Sequence, residues 1–346
     1  MKISFIFFGN PKTCCIFAVL VPAKPLNNAQ MLRVVLFYNR LNSKTMQNHI
    51  PYNKPYKSPQ DLVSLLQTRG LIINNQSRAE NYIRHIGYYR LSAYMFPLLK
   101  LPKDKHLFKN NITFQNVLEL YKFDKKFRLL IFNEIEKIEI AVRSAIVNYG
   151  SQIFNDPYWM TDGSYFMSPS RFQATLSLIS KELSHSKEDF IIHFKTKYSN
   201  PYPPAWILAE ILPLGIIMNV YYNIRDKQVK KKIANEFDLK VKPFESWMSI
   251  ITLTRNSCCH HTRIWNKQNT MQPMEPKHIT KPWIRLQTDR LRIYFNLCII
   301  KWFLDCISPN NNLKDKITTL LDRFPSVDIN AMGFPADWLK EELWKG

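Results

Sequence analysis

The 346-residue chain carries 48 Lys and Arg against 27 Asp and Glu, a formal net charge of +21 at pH 7, and 46% of its residues are hydrophobic. This apolar content excludes an intrinsically disordered chain, and the length allows a substantial buried core. Eight glycines are few for a β-sandwich or a nucleotide-binding α/β fold, so the composition favours helices. The positive charge indicates a polyanionic partner, nucleic acid ahead of a membrane surface.

The N-terminal segment differs from the rest of the chain. Residues 1–45 contain six basic residues and no acidic one, and their first apolar run is interrupted at Asn10-Pro11-Lys12, unlike a signal peptide. We therefore expect residues 1–50 to be a weakly ordered basic extension, with Met46 as an alternative start.

Cysteine usage and hydropathy indicate the compartment. No stretch offers about 18 uninterrupted apolar residues, so no membrane contact is expected. The spacing of the cysteines does not form a secreted disulfide framework, which predicts a reduced, cytoplasmic chain. They are Cys14-Cys15, Cys258-Cys259, Cys298 and Cys306.

The first helices have recognisable starts. Ser58-Pro59 followed by Asp61 predicts a capped helix that ends near Gly70. Ser77 and Glu80 have capping-box spacing and predict the start of a second helix. The segment "GYYRLSAY" (87–94) follows as an aromatic turn and helix.

A long helix is expected from Thr113 to about Tyr149. One apolar stripe at three- and four-residue steps faces the core. A second face carries Glu136, Glu139 and Arg143, either as a solvated ladder or as carboxylates aimed at the motif described below. The stripe consists of Ile131, Ile135, Ile138, Val142, Ala145 and Tyr149.

Prolines mark the later helices. Ser168-Pro169 opens one, and Pro213 should kink or split the helix that begins after Pro203-Pro204. Pro243 starts the helix that leads into the motif. Helices are also expected at 286–306 and from Asp337 to Trp344. The prediction is an all-α, helical-bundle chain with an N-terminal subdomain (51–110), a main helical domain (111–307) and a C-terminal tail (308–346).

The motif "RNSCCHHTRIWN" (255–266) brings two cysteines, two histidines and two arginines into twelve residues. Neighbouring side chains on a helix diverge by about 100°, so the Cys-Cys-His-His run at 258–261 cannot converge on one tetrahedral ion. The same divergence disfavours a cysteine nucleophile activated by an adjacent histidine. We expect buried cysteines, no metal and no cofactor.

The remaining polar residues of the motif suit RNA chemistry. Histidine exchanges protons with a ribose 2′-hydroxyl or a leaving 5′-oxygen, and arginine stabilises charge on pentacoordinate phosphorus. Asn256, His260 and Arg263 are expected on one helix face, whereas Arg255 lies about 140° from His260. Arg255 also needs a carboxylate or a phosphate, since an unpaired buried guanidinium is costly. Two copies of the helix, in a homodimer, would bring both groups together.

Several stretches together resemble a known family. "RNSCCHHTRIWN" resembles the Arg-Asn-x-Cys-Ala-His-His-x-Arg-x-Trp-Asn signature of the Abi-like proteins, which are bacterial abortive-infection proteins of the AbiD/AbiF type and resemble HEPN ribonucleases with their Arg-x4–6-His motif. Cys259 replaces the usual alanine. The supporting stretches are "LVSLLQTRGLII" (62–73), "YIRHIGYYRLSAYMFPL" (82–98), "IEKIEIAVRSAI" (135–146) and "AWILAEILPLGIIMNVY" (205–221).

The resemblance implies a dimeric HEPN-like helical domain that acts in phage defence by cutting RNA. It implies that Arg255 and His260 are the catalytic pair, with Asn256 as the polar residue beside the arginine. His261, Arg263 and Glu139 are candidates for an assisting role. An antitoxin or a regulatory noncoding RNA as controlling partner remains open.

Two other functions remain open. In the first, the chain is a non-catalytic RNA-binding module that contacts RNA through "GYYRLSAY" and through the basic run at 229–232. The structural alternatives for these two segments are a packed aromatic turn and a solvated helix face, respectively. In the other, the motif histidines are structural only. The RNA-binding candidates are Tyr88, Arg90, Lys230 and Lys231.

Overall fold

The computed structural model describes residues 2–5, 18–21, 51–276 and 279–345. The chain divides into two units, Met1–Lys57 and Ser58–Gly346. In the first unit, strands β1 (Lys2–Phe5) and β2 (Ala18–Val21) pair antiparallel, a short pair that the sequence does not predict. The expected weak order of residues 1–50 otherwise falls outside the described residues.

Helices supply the elements of the second unit, which confirms the all-α class. The expected main domain (111–307) and tail (308–346) lie within this one unit, together with residues 58–110 of the expected subdomain, whereas residues 51–57 belong to the first unit. Its described α-helices are α1 Pro59–Thr68, α2 Gln76–Ile86, α3 Tyr88–Met95, α4 Phe114–Phe154, α5 Pro169–His185, α6 Asp189–Lys197, α7 Ala205–Leu208, α8 Leu214–Asn223, α9 Lys227–Glu236, α10 Val241–Cys259, α11 Ile293–Ile307 and α12 Leu313–Arg323.

Helix α4 is the central element of this unit. Its 41 residues extend about 60 Å at 1.5 Å per residue. Thr113 caps its start with a capping box to Asn116, where the sequence predicts it. Helices α3, α7, α8, α9, α10, α11 and α12 all pack against α4. The apolar stripe is buried as expected from Ile131 to Ala145, with Ile131, Ile135 and Ile138 fully inaccessible to solvent, whereas Tyr149 is only half-buried.

Two predicted helix starts are corrected by local hydrogen bonds. The N-cap of α2 is Asn75, not Ser77, because the Asn75 side chain accepts the amide proton of Arg78 at 2.8 Å. Helix α10 begins at Val241, two residues before Pro243. Proline fits there because the first turn of a helix has no partner for its amide protons.

Proline divides the helical segment after Pro204 as expected. Pro213 separates α7 and a following 3-10 turn from α8, since it lacks an amide proton and crowds the preceding turn. The closing segment from Asp337 to Trp344 is not an α-helix. It forms two 3-10 turns, Trp338–Lys340 and Glu342–Trp344.

The helix expected at 286–306 begins only at Ile293. The amide groups of Arg285 and Leu286 donate to the buried carboxylate of Glu341, at 2.6 Å each. These amides therefore bind the C-terminal segment instead of starting a helix. A carboxylate that lies 55 residues away in the sequence could not be recognised from the local pattern.

The C-terminal tail is joined to the central helix by a buried carboxylate. Glu134 on α4 is inaccessible to solvent and accepts from Lys316 of α12 at 2.6 Å and from Lys137 at 2.7 Å. Trp344 donates its indole N–H to the Tyr294 hydroxyl on α11 at 3.2 Å.

None of the helices that the structure describes combines the length and the apolar character needed to cross a bilayer.

Gly150 on α4 gives a test of this packing. A Cβ atom at this position would lie 2.4 Å from Cζ2 of the buried Trp159 ring. We expect Gly150→Ala to lower the free energy of unfolding by about 1–3 kcal/mol, because overpacking outweighs the better helix propensity of alanine. Urea denaturation measures the effect.

Gly215 on α8 is the matched control. It is exposed, and open space surrounds the position that a Cβ atom would take, so Gly215→Ala should raise the free energy of unfolding by about 0.5 kcal/mol. Equal stabilisation by both substitutions would contradict the close approach of α4 to Trp159.

Candidate functional site

The motif lies at the C-terminal end of α10. The helix ends at Cys259, and the His260 amide still donates to the Asn256 carbonyl at 3.0 Å, so His260 keeps the helical register. His261 then adopts a left-handed conformation with φ of 55°. Arg263 comes after this turn, so the expectation that it shares a helix face with Asn256 and His260 is wrong.

Arg255 has the carboxylate partner that its position requires. Its Nε donates to Oε2 of Glu139 on α4 at 3.4 Å, and Glu139 also accepts from Arg143 at 3.3 Å. The Arg143 guanidinium in turn donates to the Leu212 carbonyl at 3.2 Å. Glu139 is therefore not part of a solvated ladder. It connects α4 to the motif helix.

The geometry of this ion pair leaves part of Arg255 available. The hydrogen bond to Glu139 uses Nε, and none among the described residues uses the two terminal guanidinium nitrogens. The Arg255 side chain is 29% exposed, and its guanidinium carbon lies 6.0 Å from the centre of the Phe132 ring. Because its stem is held and its tip is open, Arg255 can bind an anion through two parallel hydrogen bonds.

The other polar groups of the motif face solvent. Asn256, His260 and His261 are all exposed. Within the part of the chain that the structure describes, their side chains enter no hydrogen bond or ion pair. Exposed imidazoles without a partner are free to exchange protons with a ligand.

A buried carboxylate on α4 holds the loop that follows the motif histidines. Oδ1 of Asp124 accepts the amide protons of Ile264 at 3.1 Å and Trp265 at 2.7 Å. Its Oδ2 accepts from the Tyr94 hydroxyl at 2.6 Å and from the guanidinium of Arg128, one turn along α4. We call these five residues the Asp124 cluster.

The Asp124 cluster is buried, so its electrostatics are strong. Asp124 is inaccessible to solvent and Arg128 is 5% exposed. Burial raises the pKa of the Asp124 carboxyl, whereas Arg128, Tyr94 and the two amides oppose that rise by stabilising the charged form. Burial also raises the pKa of the Tyr94 hydroxyl, which keeps Tyr94 a proton donor to the carboxylate.

Helix α3 holds the same loop through two further hydrogen bonds. Arg90 donates to the His261 carbonyl at 2.6 Å, and Arg263 donates to the Ala93 carbonyl at 2.7 Å. Arg90 and Arg263 thus exchange hydrogen bonds between α3 and the motif loop. The segment "GYYRLSAY" therefore positions the loop in addition to any contact with a ligand.

Of the two motif cysteines, Cys258 is buried as expected, whereas Cys259 at the end of α10 is only half-buried. Burial raises the pKa of the Cys258 thiol to about 12, so it stays protonated at neutral pH. Cys258, Cys259, Cys298 and Cys306 are free thiols. Within the described ranges, no group of three or more His, Cys, Asp or Glu side chains is arranged to hold a metal ion.

The RNA-binding candidates separate into buried and exposed residues. The prediction that Lys230 contacts RNA is wrong. Lys230 is 9% exposed, and its ammonium donates to the Tyr222 carbonyl at 2.8 Å and to Glu245 at 3.1 Å, so it cannot reach a ligand. Lys231 is exposed. Tyr88 is half-buried, and its hydroxyl accepts from Arg69 at 3.3 Å.

Sequence reasoning missed the Asp124 cluster. Asp124 and Arg128 are four residues apart and alternate with the buried Phe123 and Phe127. An acidic and a basic residue at i, i+4 inside an apolar stripe signal a buried ion pair, because unpaired charges are costly there. The pattern does not reveal that the loop at 264–265 supplies the other donors.

Comparison with known proteins identifies a family that this chain matches. The model of the family described as "Abi-like protein" matches residues 81–266, more than half of the 346 residues. The matched range extends from α2 through α3, α4 and α10 to the end of the motif. No curated protein and no solved structure matches the chain.

The Asp124 cluster can be tested by stability measurements. We expect Asp124→Ala to lower the free energy of unfolding by about 3–5 kcal/mol, because it leaves the buried Arg128 without a counter-charge. Tyr94→Phe removes one hydrogen bond and should cost about 1 kcal/mol. Chemical denaturation followed by circular dichroism gives both values.

Glu136→Ala is the control on the same helix, since Glu136 is exposed. It should change the free energy of unfolding by less than about 0.5 kcal/mol. If Asp124→Ala were no more harmful than Glu136→Ala, the cluster would not anchor the loop.

Proposed function

The chain belongs to the Abi-like protein family, and from that premise we propose that it is a metal-independent endoribonuclease of a bacterial abortive-infection system. Its RNA target would be cut during phage infection. The observation that carries the proposal is made at one helix end. There Arg255 is held through Nε and keeps its terminal nitrogens free, and the histidines that follow it are exposed. The similarity of the motif to that of HEPN ribonucleases supports the same chemistry.

The reaction we propose is transfer of a phosphodiester within RNA. The 2′-hydroxyl loses its proton and attacks the adjacent phosphorus, the bond from phosphorus to the 5′-oxygen breaks, and that oxygen takes up a proton. The products are a 2′,3′-cyclic phosphate and a 5′-hydroxyl. His260 would transfer one of these protons, since its imidazole is exposed to solvent and imidazole can both accept and donate a proton.

Arg255 would stabilise the additional negative charge on the pentacoordinate phosphorus. Its terminal nitrogens match two phosphate oxygens in a planar fork. Glu139 would fix the direction of this fork through Nε, at 3.4 Å, without occupying the tip. Asn256 would orient the phosphate, with His261 as a second proton carrier; Arg263 has its role in the loop.

Assembly into a homodimer would complete the site. His260 keeps the helical register, so Arg255 and His260 stay about 140° apart around α10. One helix therefore directs the two side chains to different sides. A second copy of α10 facing the first would bring the arginine of one subunit to the histidine of the other. A noncoding RNA or an antitoxin that covers this surface would keep the enzyme inactive.

The test is cleavage of single-stranded RNA by purified protein in EDTA. We expect cyclic-phosphate or 3′-phosphate ends, with kcat/KM reduced about 10²- to 10⁴-fold in His260→Ala and about 10²- to 10³-fold in Arg255→Ala. The control is His193→Ala, which removes an exposed histidine from α6 and should leave the rate unchanged. Cleavage that survives both motif substitutions would contradict the assignment.

Glu139→Gln tests the positioning role. The amide keeps the shape of the side chain but no longer fixes the guanidinium by charge, so we expect kcat to fall about 10- to 100-fold. KM for RNA should stay equal or fall, because a negative charge near the phosphate is lost. A rise in KM at unchanged kcat would mean that Glu139 serves binding alone.

The second candidate function is RNA binding without cleavage. It is supported by the exposed Lys231 and Arg90, both basic groups at the surface. RNA that binds tightly and stays intact with the wild-type protein in both EDTA and magnesium would favour this function over the nuclease.

A further inference from the structure

Two exposed aromatic rings lie on one side of α3 and its C-cap: Tyr89 is in the helix, and Phe96 directly follows it and keeps the helical register, since its amide donates to the Ser92 carbonyl. Tyr89 is 90% exposed and Phe96, seven residues later, is 51% exposed. Seven residues are nearly two full turns, so both rings lie on one side, about 10 Å apart along the axis. The opposite side of α3 is buried through Leu91, Tyr94 and Met95. Single exposed aromatic residues are common on protein surfaces, so the two rings indicate a binding surface only together with the residues around them.

The row begins beside the candidate site. Arg90, next to Tyr89, donates to the His261 carbonyl at 2.6 Å. Ala93 lies between the two rings in sequence, and its carbonyl accepts from Arg263 at 2.7 Å. The motif loop therefore contacts α3 at the position where the exposed rings are located.

The row continues into a basic loop. Residues 98–109 form a hairpin-like loop in which Lys100 donates its amide to the Leu107 carbonyl at 2.8 Å and Lys109 to the Leu98 carbonyl at 2.9 Å. The loop has four lysines and one acidic residue, Asp104. The Lys103 ammonium lies 4.3 Å from the centre of the Phe96 ring, so the loop and the aromatic row form one surface.

We propose that this surface binds single-stranded RNA 5′ or 3′ of the scissile phosphate. We call it the α3 track and define it as Tyr89, Phe96, Lys100, Lys103 and Lys105. Bases would stack on the two rings, and the lysines would contact the phosphates that connect and follow these bases. The α3 track rests on the proposed function, because it leads the substrate to the motif.

The chemistry of the surface favours single-stranded RNA over other polyanions. Stacking on an aromatic face requires an unpaired base, and a duplex does not offer one. The distance between the rings is roughly three base-stacking steps of 3.4 Å, enough for separate bases. An anionic lipid surface also attracts lysines, but it has no group that stacks on Tyr89 beside the motif loop.

Binding is measured in the His260→Ala background with a fluorescent single-stranded RNA, so that cleavage does not interfere. We expect Tyr89→Ala and Phe96→Ala each to raise Kd roughly 5- to 100-fold. Tyr198→Ala is the matched control: this tyrosine on the surface beside α6 is 48% exposed and has Lys197 5.5 Å from its ring. It should leave Kd unchanged.

Salt dependence tests the lysines. Replacing Lys100, Lys103 and Lys105 together by Gln should reduce the slope of log K against log salt by about 2, because each lost phosphate contact removes about 0.7. The control replaces three exposed lysines elsewhere, Lys181, Lys187 and Lys197. It should leave most of the slope unchanged.

Crosslinking locates the RNA directly. RNA that carries 4-thiouridine should crosslink to the peptide that contains residues 87–109 in the His260→Ala protein, and the crosslink should be lost in Tyr89→Ala with Phe96→Ala. RNA that binds with unchanged Kd in the α3 track variants, or no RNA binding at all, would overturn the α3 track. So would binding to anionic vesicles that depends on the track lysines while RNA binding does not.

These results separate the two proposals. If the wild type cleaves RNA, His260→Ala does not, and the track variants bind RNA normally, the proposed nuclease activity is supported and RNA binding by the α3 track is contradicted. If RNA crosslinks to the α3 track but is never cleaved, RNA binding by the α3 track is supported and the proposed nuclease activity is contradicted.

Discussion

The buried carboxylate of Asp124 is the interaction on which the functional end of the molecule depends. It lies on the central helix and accepts from Tyr94 of α3, from Arg128 of α4 and from two amides of the motif loop. A carboxylate this deeply buried is stable only when its oxygens are fully satisfied. Formation of the cluster therefore requires α3, α4 and the loop to be in place together, and this fixes the positions of the histidines before any ligand binds.

The site consists of exposed polar side chains whose backbone is held in place by buried neighbouring residues. Asn256, His260 and His261 face solvent, while the neighbouring Ile264 and Trp265 are buried. Arg255 combines both properties, since its Nε is held by Glu139 and its tip is open. Such pre-organisation suits a reaction in which charge develops on phosphorus, because the protein does not need to reorganise when the charge appears.

The sequence predicted features that depend on regular geometry. The apolar stripe of α4, its capped start at Thr113 and the break at Pro213 follow from helix periodicity and from the chemistry of proline. The need of Arg255 for an anion also followed from the cost of an unpaired charge, and Glu139 supplies that anion. Features set by distant residues were not predictable: Asp124 accepts from amides 140 residues away, and Glu341 binds the amides of Arg285 and Leu286 at the predicted start of a helix that begins only at Ile293. Lys230 was misjudged because a short basic run does not show which of its side chains turns inward.

The central claim is that Asp124 locks the loop at residues 264–265 against the central helix. Amide hydrogen exchange of Ile264 and Trp265 tests this claim directly. Because both amide protons are buried and bonded to one carboxylate, they should exchange as slowly as the core amides of α4, through global unfolding only. Exchange at the rate of an exposed loop would contradict the account.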